Sequence, residues 1–428
     1  MLSKPKSQTI VVRPDRRSAC PGLSRMVMSK DGAIARIKLR LGRLSLAQAQ
    51  AIADIAERFE TGAIELSIRS NIQLRGIHPN VWPDVISALH EAGLGAENVA
   101  ADDVRNVMVS PTAGIDDGQI SDVTGLASRL LSVLQDNETY HALSPKFSLQ
   151  IDGGEGCAMV SHPGDIWLSA IEGGKAYAFG LASSPDKQAL GTISNDHALP
   201  FIEALLQHFL GASQKGIARM KHLFEVMPVA EFLQTLPFAF DASASWQRKA
   251  PIAHAHLGLH RQLDGNFYVG AMPLLGRLTP QQLRGLTKLA NEELHLTPWQ
   301  GILIPHIAEA EGKSIINQLD ALGFCTDPTS PAARLRACSG SKGCASALAD
   351  TQADSEKLAR KLRSDTAQIH ITGCAKSCAA LSPLPHTLLA RSPMHYDLFL
   401  QDKAGPARFG RLLASNITID EAAKLLNK

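Results

Sequence analysis

Four cysteines near the C-terminus carry the plainest chemistry of the chain: Cys338 and Cys344 in ACSGSKGC, and Cys374 and Cys378 in GCAKSCA. They form a C-x5-C and a C-x3-C pair. Thiolate is a soft ligand that selects Cu(I), zinc and iron-sulfur clusters, and four cysteines are the complement of a 4Fe-4S cubane. Zinc sites draw their pairs from C-x2-C to C-x4-C, so the five-residue gap counts against zinc and favours a 4Fe-4S cluster. Structural zinc in a non-catalytic protein, and inert core thiols, are the readings that spacing alone leaves open.

The other cysteines, Cys20, Cys157 and Cys325, stand far apart with no partner at ligand spacing. Seven is an odd number and suggests no disulfide framework, so a reducing cytoplasm fits. Cys20 is expected to be a buried thiol, and Cys157 and Cys325 to be structural. With 428 residues the chain has room for two or three domains and a large ligand. A charged fraction of 20% and a formal net charge of +2 point to neither nucleic acid nor an anionic membrane as partner. No stretch approaches the roughly 20 apolar residues of a membrane span. The leading MLSKPKSQTIVVRPDRR has no apolar stretch long enough for a signal peptide and is expected to be a disordered lead-in. The expectation is a soluble, cytoplasmic protein.

What must position the cysteines is announced by an internal repeat. RMVMSKDGAIARIKLRLGRLSLAQAQAIADIAERF lines up with GLHRQLDGNFYVGAMPLLGRLTPQQLRGLTKLANEE. Asp31-Gly32 falls on Asp264-Gly265, and Gly42-Arg43-Leu44-Ser45 on Gly276-Arg277-Leu278-Thr279. In both, an Asp-Gly turn joins two strand-like runs, and a Ser or Thr then caps an amphipathic helix. Each copy continues into a further strand, AIELSIRSNIQLRGI in the first and QGILIPHI in the second. The copies are not in tandem, which makes a pseudo-symmetric pair rather than a solenoid. Between them lie helix-like runs (ISDVTGLASRLLSVLQ, HALPFIEALLQHFLG) and strand-like runs (KFSLQID, DIWLSAI, AYAFGLA), an α/β pattern. FAFDASASWQRKAP reads as a linker before the second copy. The cysteine region continues into strands at QIHIT, HTLLAR and YDLFL and a closing helix at TIDEAAKLLN, again α/β.

A pseudo-duplicated chain with C-x5-C followed by C-x3-C resembles the nitrite and sulfite reductase family, whose members hold a 4Fe-4S cluster beside a sirohaem. Ile68-Arg69-Ser70-Asn71-Ile72-Gln73-Leu74-Arg75-Gly76 is similar to that family's T-R-Q-x-x-Q-x-R/H-G segment. Val104-Arg105-Asn106-Val107 is similar to its R-N segment, and Pro145-Lys146-Phe147-Ser148 stands at the place of its R-K-F-K. The resemblance implies an α+β fold of two pseudo-symmetric ferredoxin-like half-domains (12–80 and 246–322) and two α/β domains. One of these (81–245) would hold a tetrapyrrole pocket and the other (323–428) the cluster. It further implies that Cys338, Cys344, Cys374 and Cys378 hold the cluster, with Cys378 at the place of the thiolate that bridges to haem iron. Arg69, Gln73 and Arg75 would face the ligand, with Arg105 and Lys146 as the catalytic cations. Macrocycles of this class are rimmed with carboxylates, for which guanidinium is the best partner away from water. Arg69, Gln73 and Arg75, read as one strand, would share a face.

Departures from the reductase pattern matter as much. Ser148 stands where the reductases have a second lysine, Ser70 replaces a Gln, and Trp299-Gln300-Gly301 replaces N-Q-N. A site short of one cation and richer by an indole is poorly suited to six-electron reduction of a small anion. The runs ACPGLSRMV, LSIRSNIQLRGI, LTPWQGILIP, ACSGSKGCASALADT and GCAKSCA look like the precorrin-3B synthase branch of the family. That branch implies an O2-dependent monooxygenase of aerobic cobalamin biosynthesis that hydroxylates precorrin-3A at carbon 20 with γ-lactone formation. The alternative is a sirohaem-dependent nitrite or sulfite reductase. The branch also implies a mononuclear non-haem iron, for which His254, His256 and His260 are a candidate group, although core or surface histidines are the stronger reading. Neither GLGAEN nor GGEGC has the setting of a nicotinamide fingerprint. Electrons originating from NAD(P)H are therefore expected through a partner, a ferredoxin or a flavin reductase.

Overall fold

The computed structural model describes residues 20–96, 98–213, 216–242, 245–380, 382–401 and 409–428; the N-terminal lead-in lies outside them. Contacts divide the chain into two compact units. The larger holds residues 21–95, 115–117 and 252–428, and the smaller holds Cys20, 96–114 and 118–251.

Both copies of the repeat fold in the larger unit. The first sheet runs Val27–Ser29, Gly32–Ile37, Ile72–Ile77, Ile64–Leu66, Arg277–Leu278, and the second runs Gly258–Arg261, Phe267–Pro273, Ile302–Ile307, Glu293–Leu296, Arg43–Ser45. All these neighbours are antiparallel. Each half therefore lends its Gly-Arg-Leu strand to the sheet of the other. The loan begins at twin backbone kinks, with Leu41 and Leu275 both at φ 53° and ψ 27°. The predicted caps form as full capping boxes, Ser45 with Gln48 ahead of helix Leu46–Arg58 and Thr279 with Gln282 ahead of helix Pro280–Leu289. Arg284 joins the two helices through Asp54 and Glu57, at 2.8 and 2.7 Å.

Three details differ from the sequence expectation. The single strand expected after each helix is a hairpin, because a tight turn splits AIELSIRSNIQLRGI at Ser67–Asn71, with Ser70 at φ 53°. Helix Trp82–Glu91, placed beyond the residue-80 boundary, buries Val85 and Leu89 in the core that the two half-domains share. The stretch read as a linker is partly folded onto the smaller unit. Phe240 packs on Phe179, Trp246 on Trp167, and Asp241 bridges to Thr192.

The cysteine region forms a third sheet, Leu335–Ala337, Ile369–Thr372, His386–Ser392, His395–Leu400, Arg411–Ile417. Its first three strands are parallel and the rest antiparallel. Leu335, Leu358, Ile369, Ile371, Tyr396 and Ile419 fill the core beneath it. In the smaller unit the sheet runs Val107–Met108, Leu149–Asp152, Ile166–Ile171, Ala176–Leu181, Gly191–Ser194, with the same order of parallel and antiparallel steps. Helices Thr351–Ala359 and Thr124–Asp136 make the corresponding crossovers. The fold is α+β throughout.

Candidate metal centre

Cys338 directly follows strand Leu335–Ala337, and Cys374 comes two residues after strand Ile369–Thr372. These strands are parallel neighbours, so both cysteine loops leave the same edge of the sheet, the carboxyl end where open α/β sheets bind ligands. None of the seven cysteines forms a disulfide among the described residues. Cys20 and Cys157 are buried, as expected, and Cys325 is half-buried with its thiol pushed up chiefly by burial. Cys338, Cys344 and Cys374 are half-buried and Cys378 is exposed.

The Cys338 Sγ accepts the Gly373 amide at 3.2 Å and lies 3.5 Å from Thr351 Oγ1, at the start of helix Thr351–Ala359. Its carbonyl is fixed by Thr351 and by Gln352, at 2.7 and 2.9 Å. A side chain at Gly373 would collide with Ala347 Cβ at 2.4 Å, so the two loops approach only because this residue is glycine. Crowding by protein atoms, then the fields of Cys374, Cys338 and Cys344, hold the Cys378 thiol above its ordinary range, while Lys376 opposes them. The four thiols thus share one electrostatic neighbourhood. Among the described residues no three His, Cys, Asp or Glu side chains stand as ligands of one ion. A single zinc would gather its sulfurs at about 2.3 Å from one centre; a cubane takes one thiolate on each of four irons. Free thiols on two adjoining loops, with an amide donating to sulfur and lysine nearby, make a donor set that fits such a cluster.

The substrate-face residues divide. Arg69 sits in the turn between strands Ile64–Leu66 and Ile72–Ile77, not on one strand with Arg75. Gln73 is half-buried and lies opposite Arg36 on one side and Glu65 on the other. Arg75, expected to face ligand, is 4% exposed and bonded to the chain instead. Its Nε and Nη2 donate to Asp31 at 3.0 Å each, and Nη2 donates to the Gly343 carbonyl at 2.7 Å. Nη1 lies 3.5 Å from Glu65, which also binds Arg277 at 2.8 Å. The approach is set by backbone. Gly76 forms a bulge at φ 72°, and a Cβ on Gly32 would meet Gly76 at 2.7 Å.

In the smaller unit Asn106 draws the two expected cations to one edge. Its Nδ2 donates to the Pro145 carbonyl at 3.0 Å, and its own carbonyl accepts from Leu149 at 3.0 Å. Arg105 precedes strand Val107–Met108 and pairs with Asp102 at 3.0 Å; Lys146 is exposed on the turn before Leu149–Asp152. Ser148 is 1% exposed, and its Oγ has no hydrogen-bond partner among the described residues. Its amide donates to Asp165 at 2.9 Å, and Asp165 is paired with Arg219 at 2.6 Å.

The rings of His254 and His256 stand 6.2 Å apart, yet among the described residues no three His, Cys, Asp or Glu side chains form a metal-ligand group. His254 to His256 lie in a turn rather than a strand. His256 is stacked on Trp299 at 4.2 Å, and burial drives its pKa well down. His260 Nε2 donates to the Leu257 carbonyl at 2.7 Å, and the ring stacks on Tyr268. This group does not fit an iron centre. Sequence reasoning also missed Glu65 and Arg336, neither of which stands in a motif, and read Asp31 only as a turn residue. Arg336 is buried, meets among the described residues only Met272 Sδ and the Leu335 carbonyl at hydrogen-bond range, and is pulled down to about 10 by desolvation.

Comparisons with known proteins match this architecture. The nitrite/sulfite reductase ferredoxin-like half domain matches residues 27–92 and 260–322. The nitrite and sulphite reductase 4Fe-4S domain matches residues 100–239, a stretch that contains Cys157 but none of the four paired cysteines. A precorrin-3B synthase from Sinorhizobium sp is 27% identical over 96% of this chain and 91% of its own length. A ferredoxin–nitrite reductase from Synechococcus elongatus is 26% identical over 81% of this chain and 73% of its own. The solved structure of the Mycobacterium tuberculosis NirA protein superposes with a TM-score of 0.75 at 22% identity, covering 92% of this chain and 79% of that one. With family domains matched over more than half of its length, the chain belongs to the nitrite and sulfite reductase family of oxidoreductases.

Proposed function

We propose that the chain is an O2-dependent monooxygenase of the precorrin-3B synthase type, acting on precorrin-3A at carbon 20 with γ-lactone formation. The observation that carries this reading is Ser148. At the place of the reductases' second lysine stands a small buried hydroxyl, its amide held by the Asp165–Arg219 pair, so that position offers no cation to a developing oxyanion. Similarity to the Sinorhizobium enzyme along nearly the whole chain supports it. One oxygen atom of O2 enters the substrate and the other leaves as water, which takes two electrons and two protons. A 4Fe-4S cluster on Cys338, Cys344, Cys374 and Cys378 would supply one-electron transfer. The electrons would come from NAD(P)H through a ferredoxin or flavin reductase. Arg69 and Gln73 are assigned to substrate carboxylates, and Arg105 and Lys146 to charge stabilisation where reaction occurs.

Cluster-loaded protein given precorrin-3A, O2 and an electron donor should consume O2 and yield the hydroxylated lactone. Turnover of nitrite or sulfite without turnover of precorrin-3A would overturn the proposal. The second reading, a sirohaem-dependent reductase, is favoured by the retention of Arg69, Arg105 and Lys146; it requires that the protein purify with a haem-type chromophore.

A further inference from the structure

We propose that Arg75 is a positioning residue: it pins the Cys338–Cys344 loop to the first half-domain and, opposed by Asp31, sets the reduction potential of the cluster bound there. This rests on the assignment of the cluster to the four cysteines. The loop is gripped almost wholly through its main chain. Arg75 and Ser29 both donate to the Gly343 carbonyl, at 2.7 and 2.5 Å, and Lys30 donates to the Ser341 carbonyl at 2.7 Å. A Cβ at Gly343 would meet Arg75 Nη2 at 2.9 Å, so the guanidinium is packed against the residue that precedes Cys344. Arg75 also lies within electrostatic reach of the Cys344 thiol.

A buried fixed cation favours the more negative, reduced form of a neighbouring redox group, and a fixed anion disfavours it, both more strongly than they would in water. Asp31 and Glu65 hold the guanidinium in place and offset part of its charge. Removing the cation should therefore lower the potential, and removing the anion should raise it. A purely structural clamp has no such sign.

The test is a dithionite titration of the holoprotein followed by electron paramagnetic resonance, with iron and sulfide counted on each sample. Arg75→Gln is expected to lower the reduced-to-oxidised ratio at fixed potential about tenfold, a shift of about 59 mV for one electron. Asp31→Asn is expected to move it the other way, and Arg75→Lys to stay near wild type. Potentials that stay put, or move together, with full cluster content would overturn the proposal. If Arg75→Gln loses its cluster, hydrogen exchange at residues 340–344 of the apoprotein decides: faster exchange than wild-type apoprotein supports the clamp, and equal exchange overturns it. Wild-type protein without sulfide would overturn the cluster assignment itself, and the tuning with it.

Discussion

The two α/β sheets run through the same strand order, the same change from parallel to antiparallel and the same crossover helix, yet only one ends its first two parallel strands in cysteine loops. Register aligns Ile369–Thr372 with Leu149–Asp152, so Cys374 corresponds to Gly154 and Arg336 to Met108. In the smaller unit that end is closed by polar contacts. Ser110 Oγ donates to the Cys157 carbonyl, and Arg248 binds Asp152 at 2.8 Å and the Glu155 carbonyl at 2.7 Å. Glu155 is buried with one carboxyl oxygen unpartnered among the described residues, and burial, then Asp152, raises its pKa well above the carboxylate range. In the larger unit the same end carries four free thiols at least partly open to solvent. The scaffold supplies the location, and the residues after the strands decide whether it binds metal or seals itself.

Exchanging the properties of the twins tests this. The largest effect belongs to the loops: Cys374→Ser should abolish labile sulfide, whereas Cys157→Ser, inside the matched 4Fe-4S domain, should leave the sulfide count unchanged. A sulfide assay on both variants decides which stretch holds the cluster. Next comes the seal. Arg248→Met strands Asp152 beside Glu155, and breaking a buried pair of this kind costs about 3–5 kcal/mol, readable from the denaturant midpoint. Arg336→Met installs the twin's residue and removes a desolvated guanidinium that has no acidic partner among the described residues; the ligand-free protein should gain about 1 kcal/mol. The smallest effect is the pH response of Glu155. Because its folded pKa is raised, the folded state keeps a proton that the unfolded chain gives up above about 4.5, so stability falls as pH rises from there to the raised value. Glu155→Gln should flatten that decline in a melting-temperature series, with Asp152 and Tyr177, which also act on the carboxyl, left in place.

The half-domain repeat was legible because its signals are local: Asp-Gly turns, Gly-Arg-Leu-Ser/Thr and a Gln three residues after each cap. The second repeat was not, because its strands are plain apolar runs with no shared turn motif, and strand order is a long-range property. The cysteine pairs announced themselves by spacing. Arg75 was visible as a cation but its partners were not, since Asp31 reaches it only through the hairpin and the Gly32–Gly76 approach. Arg69 was misplaced for a local reason: Ser70 takes a left-handed conformation, which alternating polarity does not reveal.

The most direct test of the central claim is an anaerobic absorbance spectrum with iron, sulfide and zinc quantified on the same sample. The account predicts a broad shoulder at roughly 400 nm, about four sulfides per chain, no zinc and no sharp haem bands. Intense haem-type bands would contradict the monooxygenase reading in favour of a sirohaem reductase, and zinc without sulfide would contradict the cluster altogether.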